Sequence, residues 1–142
     1  MVKLRAHYPI RIDLTMDESL PSGATTINVS TKVQSGHNTE NPLDWRVQLS
    51  LEIFSGTKEQ PRFRGHIEMV GYFDIAAESK PESRSYTVTA NGASVLYAAA
   101  RELVLTITSR IPQKSITLPM MSFANIKTEA STSPEAAITV SR

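Results

Sequence analysis

Two stretches of the chain alternate apolar and polar residues, and this period of two restricts the fold more than any other feature of the sequence. The apolar members of the first stretch are Trp45, Val47, Leu49, Leu51 and Ile53. Those of the second are Phe63, Ile67, Met69, Phe73 and Ile75. Such alternation is typical of strands with one buried face. We predict two neighbouring strands joined by a hairpin connection at residues 55–58.

Two weaker strands are predicted before this pair. Ile10, Ile12, Leu14 and Met16 alternate with polar residues, and this strand starts as early as Leu4. Pro9 has no N–H for a ladder, which favours an edge position or a bulge. A second strand is predicted around Ile27 and Val29, followed by a polar loop over 35–42. Gly65 and Gly71 fall on the apolar face of the 63–75 strand, where they leave room for a close neighbour or mark bulges.

The period changes after residue 81 and predicts one helix. Asn91 or Ser94 is the predicted N-cap, and the helix ends near Ser109, before Ile111 and Pro112. Its apolar stripe has helical spacing and consists of Leu96, Ala100, Leu103, Val104 and Ile107.

Val95 and Leu105 project away from that stripe. One sheet in a chain of this size cannot cover a helix on several sides. We favour a second copy of the chain as the cover. The alternative is that the loops at Gly36 or Met120 fold over the helix. We expect the charged pair Arg101 and Glu102 to lie at the same subunit interface.

Length and composition set further limits. The 142 residues suggest one domain, which we place at 1–126, with a Ser- and Thr-rich tail at 127–142 in which residues 137–140 could add a short edge strand. There are no cysteines, which excludes disulfides, thiolate metal sites and a cysteine nucleophile. No apolar run reaches the length of a signal or a membrane span. We expect a cytoplasmic protein that does not insert into membranes.

No chemical motif points to catalysis. His7, His37 and His66 have no metal-ligand spacing, and no phosphate-binding or nucleophile motif occurs. We predict no catalytic residue, no metal and no cofactor. The remaining enzyme hypothesis, built on His37 and Glu102, requires a deep polar pocket that joins them.

A nucleic-acid partner is not expected. The net charge is +1, and the arginines of the polar strand faces alternate with acidic residues, so we predict a mixed, solvated face. The basic members are Arg5, Arg11, Arg46, Arg62 and Arg64, and the acidic members are Asp13, Glu52, Glu68 and Asp74.

An apolar segment follows the helix and is interrupted by Pro119, which prevents a continuous helix. Its apolar members are Ile116, Leu118, Met120, Met121 and Phe123. One interpretation is a surface that binds other chains. The other is a packed loop that covers the core.

The stretch from Asn91 to Glu102 (NGASVLYAAARE) resembles the helix opening of the SecB protein-export chaperone family. The resemblance continues through 108–110, Pro112-Gln113 and the 118–123 run LPMMSF, and upstream through 44–53 and the strand end GYFDI at 71–75. It extends from Leu43 to Ile126.

This resemblance implies an α+β fold with a four-stranded antiparallel sheet and one long helix, assembled as a dimer of dimers. It implies an ATP-independent holdase that binds unfolded or partly folded polypeptides. The implied client-binding groove is formed by Trp45, Ile116, Leu118, Met120, Met121 and Phe123. Methionine suits such a groove because its side chain repacks around many sequences. A sheet edge could also pair with client backbone. The alternative function is a dedicated module for one specific partner.

Two features depart from the family. Its exposed sheet face is acidic and docks the translocase motor SecA, whereas the matching positions here are Arg11, Arg64 and His66. We therefore do not carry SecA binding over. The family ends in a second helix, where this chain has a Ser- and Thr-rich segment with Pro134. Preproteins and an antitoxin are both candidate clients, and we favour the antitoxin.

Overall fold

A single antiparallel sheet covered by one long helix forms the chain. The computed structural model describes residues 2–17, 27–56, 61–111, 115–125 and 136–141. The elements are β1 (Val2–Met16), β2 (Ile27–His37), β3 (Asp44–Gly56), β4 (Pro61–Ile75), α1 (Pro81–Thr108) and β5 (Ala136–Ser141). The strand order is β1-β4-β3-β2-β5. The predicted α+β architecture of four antiparallel strands and one long helix is confirmed, and β5 adds a fifth strand at the edge.

The face of the sheet that α1 covers is called the inner face. The two predicted alternating stretches place their apolar side chains here, and Val47, Leu49 and Ile67 have no exposed surface. They share one core with the buried residues of β2 and α1. Burying each such side chain stabilises the fold by about 1.5–3 kcal/mol.

β2 continues through the region predicted as a polar loop. Ser35 and His37 pair with Val47 and Trp45, and the turn begins only at Asn38. The prediction was wrong because Ser35 is a buried polar residue, with its hydroxyl oxygen 2.6 Å from that of Thr89 on α1. A polar side chain that finds its partner inside the core can belong to a strand.

The hairpin between β3 and β4 begins later than predicted. Ser55 and Gly56 still belong to β3, and the Ser55 hydroxyl accepts a hydrogen bond of 2.9 Å from the Phe63 N–H. Residues 57 and 58 lie outside the described residues.

β1 lies at the edge of the sheet and, among the strands that the structure describes, pairs with β4 alone. Its register shifts between Leu4 and Ala6 and again between Pro9 and Arg11. The expectation that Pro9 occupies an edge or a bulge is confirmed on both counts.

α1 begins earlier than predicted, with its N-cap 11 residues before Asn91 and 14 before Ser94. Lys80 is the N-cap, Pro81 takes the first turn, where its missing N–H costs nothing, and Glu82 lies near the positive end of the helix dipole. Asn91 and Ser94 are interior residues whose side chains donate to the carbonyls of Thr87 and Ala90, at 2.7 and 2.9 Å.

The buried stripe of α1 differs from the predicted one at its ends. Leu96, Ala100 and Val104 are fully buried as predicted, but Ile107 is 39% exposed. The stripe extends instead toward the N-terminus through Val88, Thr89, Gly92 and Ala93. Because several residues there are polar or small, the apolar pattern of the sequence did not indicate that this face packs against the sheet.

Two glycines let α1 approach the sheet closely. A Cβ on Gly92 would lie 2.8 Å from Val47 Cγ2, and one on Gly71 would lie 2.8 Å from Phe73 Cε2 and 3.1 Å from Leu96 Cδ2. The expectation that Gly71 leaves room for a close neighbour is confirmed, with the Phe73 ring and Leu96 of α1 as its neighbours. Gly65 instead leaves room for Leu14 of β1.

Candidate functional site

Residues 115–125 form an extended segment, the strap, that runs back along α1. Ile116 N–H donates to the Thr108 hydroxyl at 2.8 Å, and Arg101 Nε donates to the Leu118 carbonyl at 2.8 Å. Farther toward the helix N-terminus, Tyr97 and Tyr86 donate to the carbonyls of Pro119 and Ala124, each at 2.5 Å. The strap is therefore antiparallel to the helix.

The spacing of these contacts fits an extended strap. The helix rises about 33 Å from Tyr86 to Thr108 at 1.5 Å per residue. The chain from 116 to 124 spans about 26 Å at ~3.3 Å per residue. The long Tyr86 side chain bridges the remainder. A stretched backbone held at four points cannot shift along the helix without breaking several hydrogen bonds.

Three of the predicted groove residues anchor the strap in the core. Ile116, Leu118 and Phe123 are buried. The Phe123 ring meets the Tyr97 ring edge-on at 5.8 Å between centroids. The packed-loop interpretation therefore describes these three side chains within a single chain.

Of the two methionines, only Met120 points away from the core. Met120 is 72% exposed, whereas Met121 is half-buried and packs against the core. They follow Pro119, whose carbonyl is fixed by Tyr97. The strap thus has a rigid backbone and a flexible apolar outer surface. Thioether side chains on a fixed support suit ligands of variable shape.

Trp45, the sixth predicted groove residue, is only 6% exposed. Its indole N–H donates to the Pro42 carbonyl at 3.0 Å, and its ring meets His37 edge-on at 5.2 Å. It belongs to the same core cluster as Ile116, Leu118 and Phe123.

An apolar groove lies between β1 and α1, beside the core stripe of the helix. Its cavity of about 370 Å³ is lined by Val2, Leu4, Phe73, Thr87, Asn91 and Val95. Val95, from the predicted interface, is 37% exposed here, and Leu4 is exposed to the same degree. Within the part of the chain that the structure describes, both side chains are therefore only partly covered.

The other predicted interface residues are placed differently. Leu105 is half-buried, Glu102 is exposed, and Arg101 is half-buried through its bond to the strap.

β1 adds exposed apolar side chains at Tyr8, Ile10 and Ile12. A long edge strand with exposed apolar residues is an unusual feature for a lone chain.

The outer face of the sheet carries charges of both signs in close pairs. Arg5 bonds Asp44 and lies 3.1 Å from Asp74, and His66 lies 3.7 Å from Glu52 and 3.8 Å from Glu68. Exposed pairs of this kind add little stability. The predicted mixed, solvated face is what the structure shows.

The three residues compared with the family's acidic surface meet in one cleft. Arg11, Arg64 and His66 line a cavity of about 470 Å³ on the outer face, together with Asp13 and Glu52. The cleft is therefore of mixed charge rather than acidic.

Two tyrosines on the outer face shift each other's acidity. Hydrogen bonds from Tyr8 and Arg46 lower the pKa of Tyr72, because they stabilise its phenolate. The same contact with Tyr72 raises the pKa of Tyr8. The Arg5 guanidinium also lies 6.0 Å from the centre of the Tyr72 ring, within the range of a cation–π contact.

The His37 and Glu102 pair does not form a site. Ser35, two residues from His37, contacts Thr89 of α1, whereas Glu102 lies about 20 Å farther along the helix axis. The cavity at His37 is lined by residues 36–38, 44–46 and Tyr72, without Glu102. Among the described residues, no three His, Asp or Glu side chains are grouped for a metal, and no helix is long and apolar enough to cross a membrane.

The residues that hold the strap were not among the predicted site residues. Tyr86, Tyr97 and Thr108 are spaced eleven residues apart, which is close to three helical turns and puts them on one side of α1. Their hydroxyl groups all bond the strap backbone. Polar-tipped residues at that spacing, next to the apolar stripe, were the available signal.

Comparison with known proteins relates the chain to one fold. No family model and no curated protein matches the sequence. Among solved structures, the chain is similar to the SecB-like chaperone Rv1957 of Mycobacterium tuberculosis, in complex with a ChAD peptide from the HigA1 antitoxin Rv1956. The TM-score is 0.66 at 19% identity, over 85% of this chain and 91% of that one. The expected SecB-like fold is thereby confirmed.

Proposed function

We propose that this chain is an ATP-independent holdase that binds unfolded or partly folded polypeptides on its strap. The supporting observation is the exposed Met120 beside the half-buried Met121 on a backbone fixed to α1. The similar solved structure is a SecB-like chaperone bound to a peptide, which supports a peptide-binding role for the same fold.

The proposed mechanism separates a rigid floor from an adaptable surface. Ile116, Leu118, Phe123 and Trp45 form the floor, and the methionines contact the client. Burying one client Leu or Phe side chain contributes about 1.5–3 kcal/mol. Such contacts are weak singly, so several sites on one assembly would raise the affinity through effective concentration.

We propose that the assembly is a homotetramer, a dimer of dimers, whose contacts use the groove between β1 and α1. The exposed Leu4 and Val95 side chains support this placement, with Leu105, Arg101 and Glu102 as further predicted members. Val95→Asp should lower the mass measured by light scattering. Ser83→Asp, exposed on the same helix outside the groove, should not. An unchanged mass for Val95→Asp would remove the groove from the interface.

The client is proposed to be an antitoxin or a preprotein met in the cytoplasm. The peptide in the Rv1957 structure comes from an antitoxin, which favours toxin control over export. SecA is not proposed as a partner, because Arg11, Arg64 and His66 occupy the cleft on the outer face.

A second candidate is a dedicated module for one partner. The single antitoxin peptide in the Rv1957 complex favours it. A competition titration separates the two functions. A holdase releases a labelled unfolded client when unrelated denatured proteins are added, whereas a dedicated module retains its one partner.

The holdase proposal is tested with the double variant Met120→Asp, Met121→Asp. We expect it to lose most suppression of client aggregation, with affinity at least tenfold weaker, because two charges replace the apolar contact surface. Ser122→Asp is the matched control, since Ser122 is exposed on the same strap and should retain suppression. Parent-like suppression by the double variant, at unchanged oligomer mass, would contradict the site.

A further inference from the structure

β2 has two edges, and the second is covered by the chain's own C-terminal strand. β3 pairs along the whole of β2, whereas β5 covers only Ser30 to Ser35 on the other side. β1 and β5 are thus the terminal strands of the sheet. Without β5, the β2 edge would present a row of unpaired N–H and C=O groups, which is a template for another extended chain.

The register shows what the β2 edge selects. Ile138 pairs with Val33, and Val140 pairs with Thr31, and both β2 partners have buried side chains. Thr139 pairs with Lys32, which is exposed. A client residue that lies opposite Val33 or Thr31 would share the inner face with them. The edge therefore takes an extended segment with apolar residues at alternate positions, a pattern that unfolded polypeptides commonly supply.

The occupant of this edge is short and follows the strap in the chain. β5 has six residues, and residues 126–135 connect it to the strap. Ten connecting residues can reach up to about 33–36 Å. A strand tethered at this length competes with a free segment through its effective concentration.

We propose that the β2 edge is a second binding surface, for extended polypeptide segments with alternating apolar residues, and that β5 is its built-in competitor, which a client displaces. This inference rests on the proposed client-binding function. The backbone groups of β2 supply sequence-independent hydrogen bonds to the client, and the inner face supplies the preference for apolar residues.

The effect of β5 docking on the apparent Kd of a client follows from the ratio of docked to undocked β5. If β5 is docked ten times for each time it is undocked, the apparent Kd of a client at this edge is raised about elevenfold. A tenfold effect corresponds to about 1.4 kcal/mol of docking free energy. Six ladder pairs can readily supply this amount.

The test locks β5 onto β2 with a disulfide. The chain has no cysteine, so Lys32→Cys with Thr139→Cys creates one possible bridge between directly paired positions. The probes are a labelled synthetic peptide AAITVS, which copies β5, and reduced, carboxymethylated α-lactalbumin as an unfolded protein. Each single-cysteine variant, with and without oxidant, controls for oxidation itself.

We expect the reduced double variant to bind the peptide at least tenfold more tightly than the oxidised one. Ile138→Asp with Val140→Asp, which weakens β5 docking in the full chain, should raise the affinity above that of the parent. Equal binding by the locked and unlocked forms would overturn the inference, and so would failure of the bridge to form. If the parent binds the unfolded protein but locking changes nothing for either probe, only this inference fails. If the parent binds no unfolded protein, the proposed function itself fails.

Discussion

Gly92 provides a sharp test of how α1 is positioned, because two physical effects act on it in opposite directions. Replacing an interior helical glycine with alanine ordinarily stabilises a helix by about 0.8–1.0 kcal/mol. Here the added Cβ would lie 2.8 Å from Val47 Cγ2, 3.1 Å from Val47 Cβ and 3.2 Å from Phe73 Cε2. Val47 is fully buried, and a β-branched side chain on a strand has few alternative rotamers.

Overpacking of this kind costs about 1–3 kcal/mol. This steric cost exceeds the gain in helix propensity, so Gly92→Ala should lower the free energy of unfolding by about 1 kcal/mol. In a Val47→Ala background the nearest contact, with Cγ2, disappears, whereas the Cβ of residue 47 at 3.1 Å and Phe73 Cε2 at 3.2 Å remain. Gly92→Ala should therefore be about 1 kcal/mol less destabilising there than in the parent chain, and this difference is the coupling between the two positions.

Urea denaturation of the four proteins of this double-mutant cycle, at one protein concentration, measures both values. The prediction is that Gly92→Ala destabilises the parent chain and is close to neutral in the Val47→Ala background. If Gly92→Ala changes the free energy of unfolding equally in both backgrounds, α1 does not lie close to β3.

Three further predictions concern the strap and the outer face. Tyr97→Phe should lower the free energy of unfolding by about 1 kcal/mol in urea denaturation, because the Pro119 carbonyl loses its donor; no change would mean that the bond is absent in solution. Leu118→Ala should cost about 2–5 kcal/mol by the same assay, since this side chain has no exposed surface, and a cost below 1 kcal/mol would place the strap off the core. Tyrosinate absorbance during an alkaline titration should show Tyr72 ionising below the ordinary pKa of 10.0 and Tyr8 above it. The lowered pKa of Tyr72 stabilises the fold above pH 10, and this contribution is lost as the pH falls. The raised pKa of Tyr8 stabilises the fold below pH 10, and this contribution is lost as the pH rises. Tyr72→Phe should abolish the ionisation that occurs below the ordinary pKa.

β3 and β4 were predictable because their apolar and polar residues alternate. Leu49 and Ile67 are fully buried on the inner face as their spacing indicates. The alternation failed at Ser35, where a buried hydroxyl pair with Thr89 replaces an apolar contact. A sequence does not reveal that two distant hydroxyl groups will meet.

The helix start and the strap were harder to predict for a different reason. Asn91 and Ser94 are of residue types that are preferred at N-caps. However, tertiary contacts at Val88 and Thr89 keep the preceding residues helical. Ile116 and Phe123 were recognised as apolar, yet only the structure shows that the core takes them while Met120 remains outside. A proline-interrupted segment has no periodicity that separates its two sides.

The central claim is that unfolded chains bind at the exposed methionine of the strap, and one fluorescence measurement tests it most directly. The chain has no native cysteine, so Met120→Cys can carry a single environment-sensitive dye, and Glu78→Cys, at an exposed turn, carries the same dye as a control. We predict that reduced, carboxymethylated α-lactalbumin shifts the emission of the dye at position 120 to shorter wavelength in a saturable titration and leaves the dye at position 78 unchanged. Saturable binding of that client with no shift at position 120, or with equal shifts at both positions, would contradict the account.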